Sequence, residues 1–283
     1  MNTGKWLFAV LCIAWSPLQA RTAHGFENQV VTLSITYQDY YENRPWDKGV
    51  PRTREAFGTV VDGKRILVAA QMVRNATLIR VEKHGHPPRI PARLLHADPL
   101  INLAILTVDA PDYFKDLRPV RLAPHTITEG AVQSVRWRRG QLETLTGRFT
   151  RLGVEESRAG LMRHLMLFLT TDISDGGWSE PVFQKKRLVG ITFYQNDRLA
   201  HVIPVDLIHS YLKATQSLEN YAGFPVFGAA WQTNRDRTQA ASLGLAGPPR
   251  GVVIRDTIAG SSVAGLLQPR DVLLELDGHP IDA

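Results

Sequence analysis

The sequence predicts a mainly β protein: two packed antiparallel barrels, followed by a smaller β unit. Three observations predict it. Between residues 28 and 212 the chain is a series of short alternating or β-branched runs, each closed by turn residues, a pattern of barrels or sandwiches rather than bundles. Hydrophobic residues make up 44% of the 283 positions and charged ones 21%, enough to fill real cores and too little charge for a disordered chain. After a polar stretch near residue 214 a second set of strand runs begins, so a second unit is expected there.

The elements follow in order. Val30–Thr36 alternates and is β-branched. Phe57–Val61 and Arg65–Val68 flank Asp62-Gly63 and read as a hairpin. Ala76–Val81, Ile90–Leu95, Leu103–Val108, Val132–Val135 and Leu165–Leu169 are further strands, and Leu188–Phe193 and Ala200–Ile203 close the series. Pro204 then opens a run to Lys213 with apolar residues at helical spacing. In the second unit Gly251–Ile254 and Asp271–Leu276 read as strands, with a turn at Asp277-Gly278. The loop from Asp39 to Arg54 holds Tyr40, Tyr41 and Trp46 among charges; it reads as a surface excursion whose aromatics pack on one another.

The first 20 residues read as a signal peptide. Lys5 gives a positive start, Trp6–Trp15 an apolar stretch too short to span a bilayer, and Ala20 a small residue before a cut. An exported protein of the periplasm or cell envelope is therefore expected, with no stable membrane span after cleavage. Cys12, the one cysteine, falls inside that segment, which excludes thiol catalysis, disulfides and cysteine metal sites from the mature chain. The formal charge is +6. Its arginine clusters, Arg136–Arg139 among them, read as solvated surface, and no element carries the dense basic face of a nucleic-acid binder. No phosphate loop or other cofactor motif is present, so no cofactor is expected. His84-Gly-His86 has no third metal ligand in sequence. His84, His86 and His96 are expected to be exposed.

Several segments, in order, resemble the Do-like (HtrA/DegP-type) serine proteases with PDZ modules. Ile66–Val73 stands where the family has the segment ending in its catalytic histidine, with Gln71 at that place. Asp98–Leu106 is similar to the family's Asp-Pro-x-x-Asp-Leu-Ala segment, with Asn102 for the aspartate. Gly176–Pro181 loosely resembles the Gly-Asn-Ser-Gly-Gly-Pro nucleophile loop, and Val189-Gly-Ile and Ala200–Pro204 match segments that follow it. Tyr221-Ala222-Gly223-Phe224-Pro225-Val226 looks like the opening of the PDZ module in the plant Do-like subgroup.

The resemblance implies a trypsin-like double barrel over residues 28–213 and a PDZ-like domain over 221–283, its C-terminal part missing. It also implies that Tyr221, Ala222, Gly223, Phe224 and Val226 supply the loop that holds a peptide C-terminus. Anchoring the loop on Pro181 puts Trp178 at the nucleophile place; sliding the gap puts Ser179 there. Either way Glu180 stands where glycine is expected, and the oxyanion loop around Gly176 and Gly177 is in question.

A serine hydroxyl needs an imidazole to take its proton, and an amide at Gln71 cannot do so. Replacing the aspartate by asparagine alone costs serine proteases about 10⁴ in turnover. The expectation is a pseudoprotease that binds unfolded or C-terminal peptide segments, as a chaperone, adaptor or regulator. Two alternatives stand beside it: an endopeptidase with a rearranged site using Ser179, and an inactive subunit that tunes an active homologue. The family's habit of forming trimers or their multiples implies a homo-oligomer, or a hetero-oligomer with that homologue. Phe26 is an apolar residue in the N-terminal stretch that would contribute to such assembly.

Overall fold

A computed structural model describes residues 25–156 and 163–281. The expected signal peptide lies outside the described residues. The chain forms two compact units, the first ending at Gly223 and the second starting at Phe224.

The first unit is two closed six-stranded barrels. The first barrel is built from β1 (Val30–Tyr37), β4 (Arg52–Val61), β5 (Arg65–Ala69), β6 (Ala76–Lys83), β7 (Ile90–Asp98) and β8 (Leu103–Thr107), in the order β1-β4-β5-β8-β7-β6. A short hairpin, β2 (Tyr40–Tyr41) and β3 (Arg44–Lys48), stands between β1 and β4, and one helical turn, α1 (Ala70–Val73), follows β5. The expected hairpin at Asp62-Gly63 joins β4 to β5, with Val61 opposite Arg65. Its tight reversal needs left-handed backbone, which Gly63 at φ +78° and Lys64 at φ +56° supply. Leu33, Ile35, Ile66, Val68, Val81 and Leu103 fill this barrel and are fully buried.

The second barrel comprises β9 (Ala131–Arg138), β10 (Gln141–Glu156), β11 (Arg163–Thr171), β12 (Pro181–Gln184), β13 (Arg187–Asn196) and β14 (Leu199–Pro204), in the order β10-β11-β14-β13-β12-β9. Its core holds Val132, Leu167, Leu169, Val182, Val189 and Val202. The predicted helix is α2 (Val205–Ala214). Its Tyr211, fully buried, returns to the first barrel, where the hydroxyl lies 3.0 Å from His96 Nδ1. His96 is thus half-buried rather than exposed, and so is His84.

Two further expectations are corrected, those for the loop aromatics and for Arg136. The aromatics of the Asp39–Arg54 loop do not pack together: Trp46 is 78% exposed, and Tyr40 and Tyr41 sit under Lys48 and Arg44 as cation–π partners. Phe26 packs inside its own chain, its ring 4.3 Å from that of Phe183. Arg136 is not solvated surface but 4% exposed and paired with Glu143 and Asp175.

The second unit has β15 (Ala229–Thr233), α3 (Arg237–Ser242), β16 (Val252–Thr257), β17 (Val272–Leu273), β18 (Glu275–Leu276) and β19 (His279–Pro280). β15, β16 and β17 form a three-stranded sheet, and β18 pairs with β19 across the predicted Asp277-Gly278 turn. The run expected as one strand from Asp271 is split between β17 and β18. Among the described residues no helix is long and apolar enough to cross a membrane.

Candidate functional site

The catalytic candidates singled out in sequence meet where the two barrels face each other. Gln71 sits on α1, just past β5, and Asn102 just before β8; β5 and β8 are paired neighbours. Asn102 is fully buried with φ +58°, a left-handed conformation that asparagine tolerates better than most residues. Its Oδ1 accepts the Gln71 N–H at 2.8 Å and its Nδ2 donates to Gln71 Oε1 at 3.2 Å. The Gln71 Nε2 donates onward to the Phe193 carbonyl on β13. A neutral amide pair is therefore locked by three hydrogen bonds, two within the first barrel and one across to the second. It can hold geometry, but neither amide titrates or removes a proton near neutral pH.

The loop between β11 and β12 carries the other candidates. Trp178 is 46% exposed, and its carbonyl accepts the Phe57 N–H at 2.9 Å, fixing the loop to the first barrel. Ser179 also reaches the first barrel. It is fully buried, adopts φ +70°, and its Oγ accepts the Ala69 N–H at 3.0 Å. Gly177 is buried with φ +95°, and Gly176 is half-buried.

Glu180 organises this loop from within. It is 1% exposed, and its Oε2 accepts the backbone N–H of Trp178 at 2.8 Å and of Gly177 at 3.1 Å. The Thr192 hydroxyl also donates to that oxygen, while the Glu180 N–H donates to Thr192 Oγ1 at 2.9 Å. Arg136 Nη1 lies 4.0 Å from Oε1. Consecutive loop N–H groups, the kind that would face a developing oxyanion, are thus held by a carboxylate of the same chain.

His164, His201 and His209 are engaged elsewhere. His209 Nε2 donates to the Ala123 carbonyl at 2.8 Å. His164 Nδ1 lies 2.9 Å from the Leu165 carbonyl, and burial pushes its pKa down. His201 packs among the rings of Phe168, Phe193 and Tyr194. None of these contacts sets an imidazole on Ser179. Among the described residues no group of three or more His, Cys, Asp or Glu is placed to hold a metal ion.

Two cavities flank Trp178. One, of about 490 Å³, is lined by Ala70, Gln71, Met72, Leu94 and Asn102. The other, of about 980 Å³, is lined by Thr32, Phe57, Trp137 and a set of arginines, Arg54 among them. Sequence reasoning passed over Arg136 and Thr192, the partners that fix Glu180. The arginine was visible in its cluster, but nothing in the sequence marks Thr192.

The residues of the expected peptide loop are divided. Tyr221 lies with the barrels: its hydroxyl donates to Asp98 Oδ2 at 2.5 Å and its ring meets His96 edge-on at 4.1 Å. Burial and the adjacent Asp98 carboxylate push its phenol pKa upward, so it stays a donor. Ala222 and Gly223 are exposed. Phe224 and Val226 belong to the second unit, where Val226 is 51% exposed.

No protein-family model matches the chain. In sequence it is 24% identical over 244 residues to the mitochondrial Do-like 3 protein of Arabidopsis thaliana, covering 84% of this chain and 44% of that one. It is 23% identical over 257 residues to the mitochondrial protease Do-like 4 of the same plant, covering 88% and 49%. A serine protease DegP homolog of Plasmodium falciparum is 20% identical over 234 residues, covering 81% and 27%. The chain spans about half the length of the plant relatives it matches. In structure it is similar to the HtrA-type protease AlgW with a tripeptide, at a TM-score of 0.65 and 18% identity over 90% of this chain and 81% of that one. The Rv3671c protease of M. tuberculosis in its active form matches at 0.55 and 14% identity over 75% and 90%. Its homologues in sequence are Do-like and DegP proteases and its barrels have the fold of HtrA proteases, and both findings support the Do-like (HtrA/DegP-type) family.

Proposed function

We propose that this protein is a non-catalytic member of its family that acts by binding extended peptide, in unfolded or C-terminal segments of client proteins. The observation that carries this is the Gln71–Asn102 amide pair that lines the smaller cavity beside Trp178. It keeps the hydrogen-bonded geometry of an orienting pair and lacks a group that accepts a proton. Two features support the same reading. Ser179 is fully buried and turned to Ala69, and Glu180 already holds the Gly177 and Trp178 N–H groups. A hydrolytic site would need a base, a reachable hydroxyl and free oxyanion donors, whereas binding needs only the cleft and exposed strand edges.

The second unit serves as the PDZ-like binding module in this proposal, with Phe224 to Val226 beside its peptide groove. AlgW has been solved with a decapeptide and with a tripeptide; by analogy alone the present chain takes peptides too. The protein works after export, in the periplasm or cell envelope. A second reading, a subunit that assembles with an active homologue, is favoured by the exposed aromatic hairpin of Tyr40, Tyr41 and Trp46.

The test is cleavage of unfolded casein by the protein, by Ser179→Ala, and by Gln71→His/Asn102→Asp/Trp178→Ser with and without Glu180→Gly. No cleavage is expected from the protein, from Ser179→Ala or from the triple variant. Casein cleavage that Ser179→Ala abolishes would overturn the proposal.

A further inference from the structure

The larger cleft beside Trp178 does not include the amide pair, and its wall is cationic. Arg54, Arg89, Arg136, Arg138 and Arg139 line it against Glu55, Glu82 and Asp175. Most of that charge is matched internally. Arg89 lies 2.8 Å from Glu82 and 3.8 Å from Glu55. Arg136 and Arg138 lie 3.2 and 3.3 Å from Asp175. Arg54 and Arg139 have no ion-pair partner among the described residues.

Arg54 is held rather than loose. Its Nη1 donates to the Gln71 carbonyl at 3.2 Å, and its guanidinium lies 3.5 Å over the Tyr37 ring. Its Nε is buried with no acceptor. Burial lowers its pKa, opposed by the nearby Tyr37 and Asp39. On the same cleft Thr32, 7% exposed, has a buried hydroxyl with no partner. A buried guanidinium donor without an acceptor is costly unless a ligand supplies one. Here the cleft also offers a second unpartnered polar group and, at the rim, the half-exposed indole of Trp178.

We infer that this cleft is a carboxylate subsite, with Arg54 and Arg139 as its cations, and that it selects acidic segments of the bound peptide. A carboxylate matches a fixed guanidinium in both charge and planar geometry. The Trp178 ring gives the adjoining residue an apolar platform. The inference rests on the peptide-binding reading and names its ligand chemistry. The carboxylate can come from an Asp or Glu side chain or from the peptide's own C-terminus.

Fluorescence anisotropy with labelled peptides of equal length tests it. One peptide carries internal glutamates and an amidated end, one is neutral with a free C-terminus, one is neutral and amidated, and one is lysine-rich and amidated. A carboxylate-bearing peptide is expected to bind about tenfold or more tighter than the neutral amidated one, and to weaken with salt. Arg139→Gln, on an exposed turn, and Arg54→Gln are each expected to weaken that peptide by about tenfold and leave the neutral amidated one unchanged; Arg54→Lys restores part of the loss. Preference for the glutamate peptide assigns a side-chain carboxylate; preference for the free C-terminus assigns the terminus. Equal binding of all four, unchanged in Arg139→Gln, overturns the subsite and leaves the peptide-binding reading standing. No binding of any peptide overturns that reading and the subsite with it.

Discussion

Two buried polar side chains show what separates a satisfied group from a stored cost. Glu180 is almost fully buried, yet its Oε2 accepts from two backbone N–H groups and a hydroxyl, while Oε1, with no hydrogen bond, has the Arg136 guanidinium 4.0 Å away. Such an oxygen is an anchor, because the two loop N–H groups it holds are costly to leave unpaired. His164 is the opposite case. It is 7% exposed, its Nδ1 lies 2.9 Å from the Leu165 carbonyl, and its Nε2 has no partner. Desolvation holds its pKa below the ordinary 6.5. The unfolded chain then takes up a proton near pH 6.5 that the folded chain refuses. Stability is present above that pH and is lost as pH falls through it. Urea unfolding midpoints should therefore drop between about pH 7.5 and about pH 5.5, and drop less in His164→Leu. Equal pH slopes in the two proteins would assign the loss to other groups.

At the level of single elements, the loop from β11 to β12 is tightly constrained backbone. Gly177 has φ +95°, and a Cβ there would come within 2.8 Å of the Gln195 N and 2.9 Å of the Tyr194 backbone. Neither neighbour is a flexible side-chain end, so the loop itself must move. Gly177→Ala should cost about 1–3 kcal/mol from strain and overlap, read as a lower urea midpoint. The same shift pulls the Gly177 and Trp178 N–H groups off Glu180. A midpoint within error of the parent would mean the loop is softer than its geometry implies. The sequence makes such loops hard to read: Gly176-Gly177 announces a turn, but nothing local says that Glu180 folds back onto it. Most strands of the first barrel were legible because each holds a short, apolar or β-branched run, as in β1, β5 and β8. β10 was not, since its pairing with β11 shifts register between Phe149 and Arg151 and the alternation flips there. β15 was missed because Ala229-Ala-Trp-Gln-Thr233 has little β-branched character. α3 was missed although it carries a cap, the Asp236 side chain accepting the Gln239 N–H at 2.7 Å.

For the whole double barrel, the decisive contacts join residues far apart in sequence, which is why their meeting place was legible only through the order of segments. Gln71 reaches Phe193, Ala69 reaches Ser179, Phe57 reaches Trp178, and Trp137 reaches Val30. The candidate site sits on this seam, so its geometry depends on the barrels acting as one body. Trp137 tests that directly. It is 8% exposed, and its indole N–H, on the second barrel, donates at 2.8 Å to the carbonyl of fully buried Val30 on the first. Trp137→Phe keeps an aromatic ring and removes the donor, leaving a buried carbonyl unpaired, at a cost of about 1–3 kcal/mol. Hydrogen exchange separates two ways of taking that loss. If the barrels unfold together, the slowest amides of β5 and of β13 fall by the same free energy in the variant, because both exchange through one global opening. If the seam is merely a contact between independent barrels, the two sets separate and the urea transition broadens with a lower slope. Common protection is the expected result, since the other cross-barrel hydrogen bonds and the Phe26–Phe183 contact remain in place. Divergent protection would show that the site is assembled from two bodies free to part.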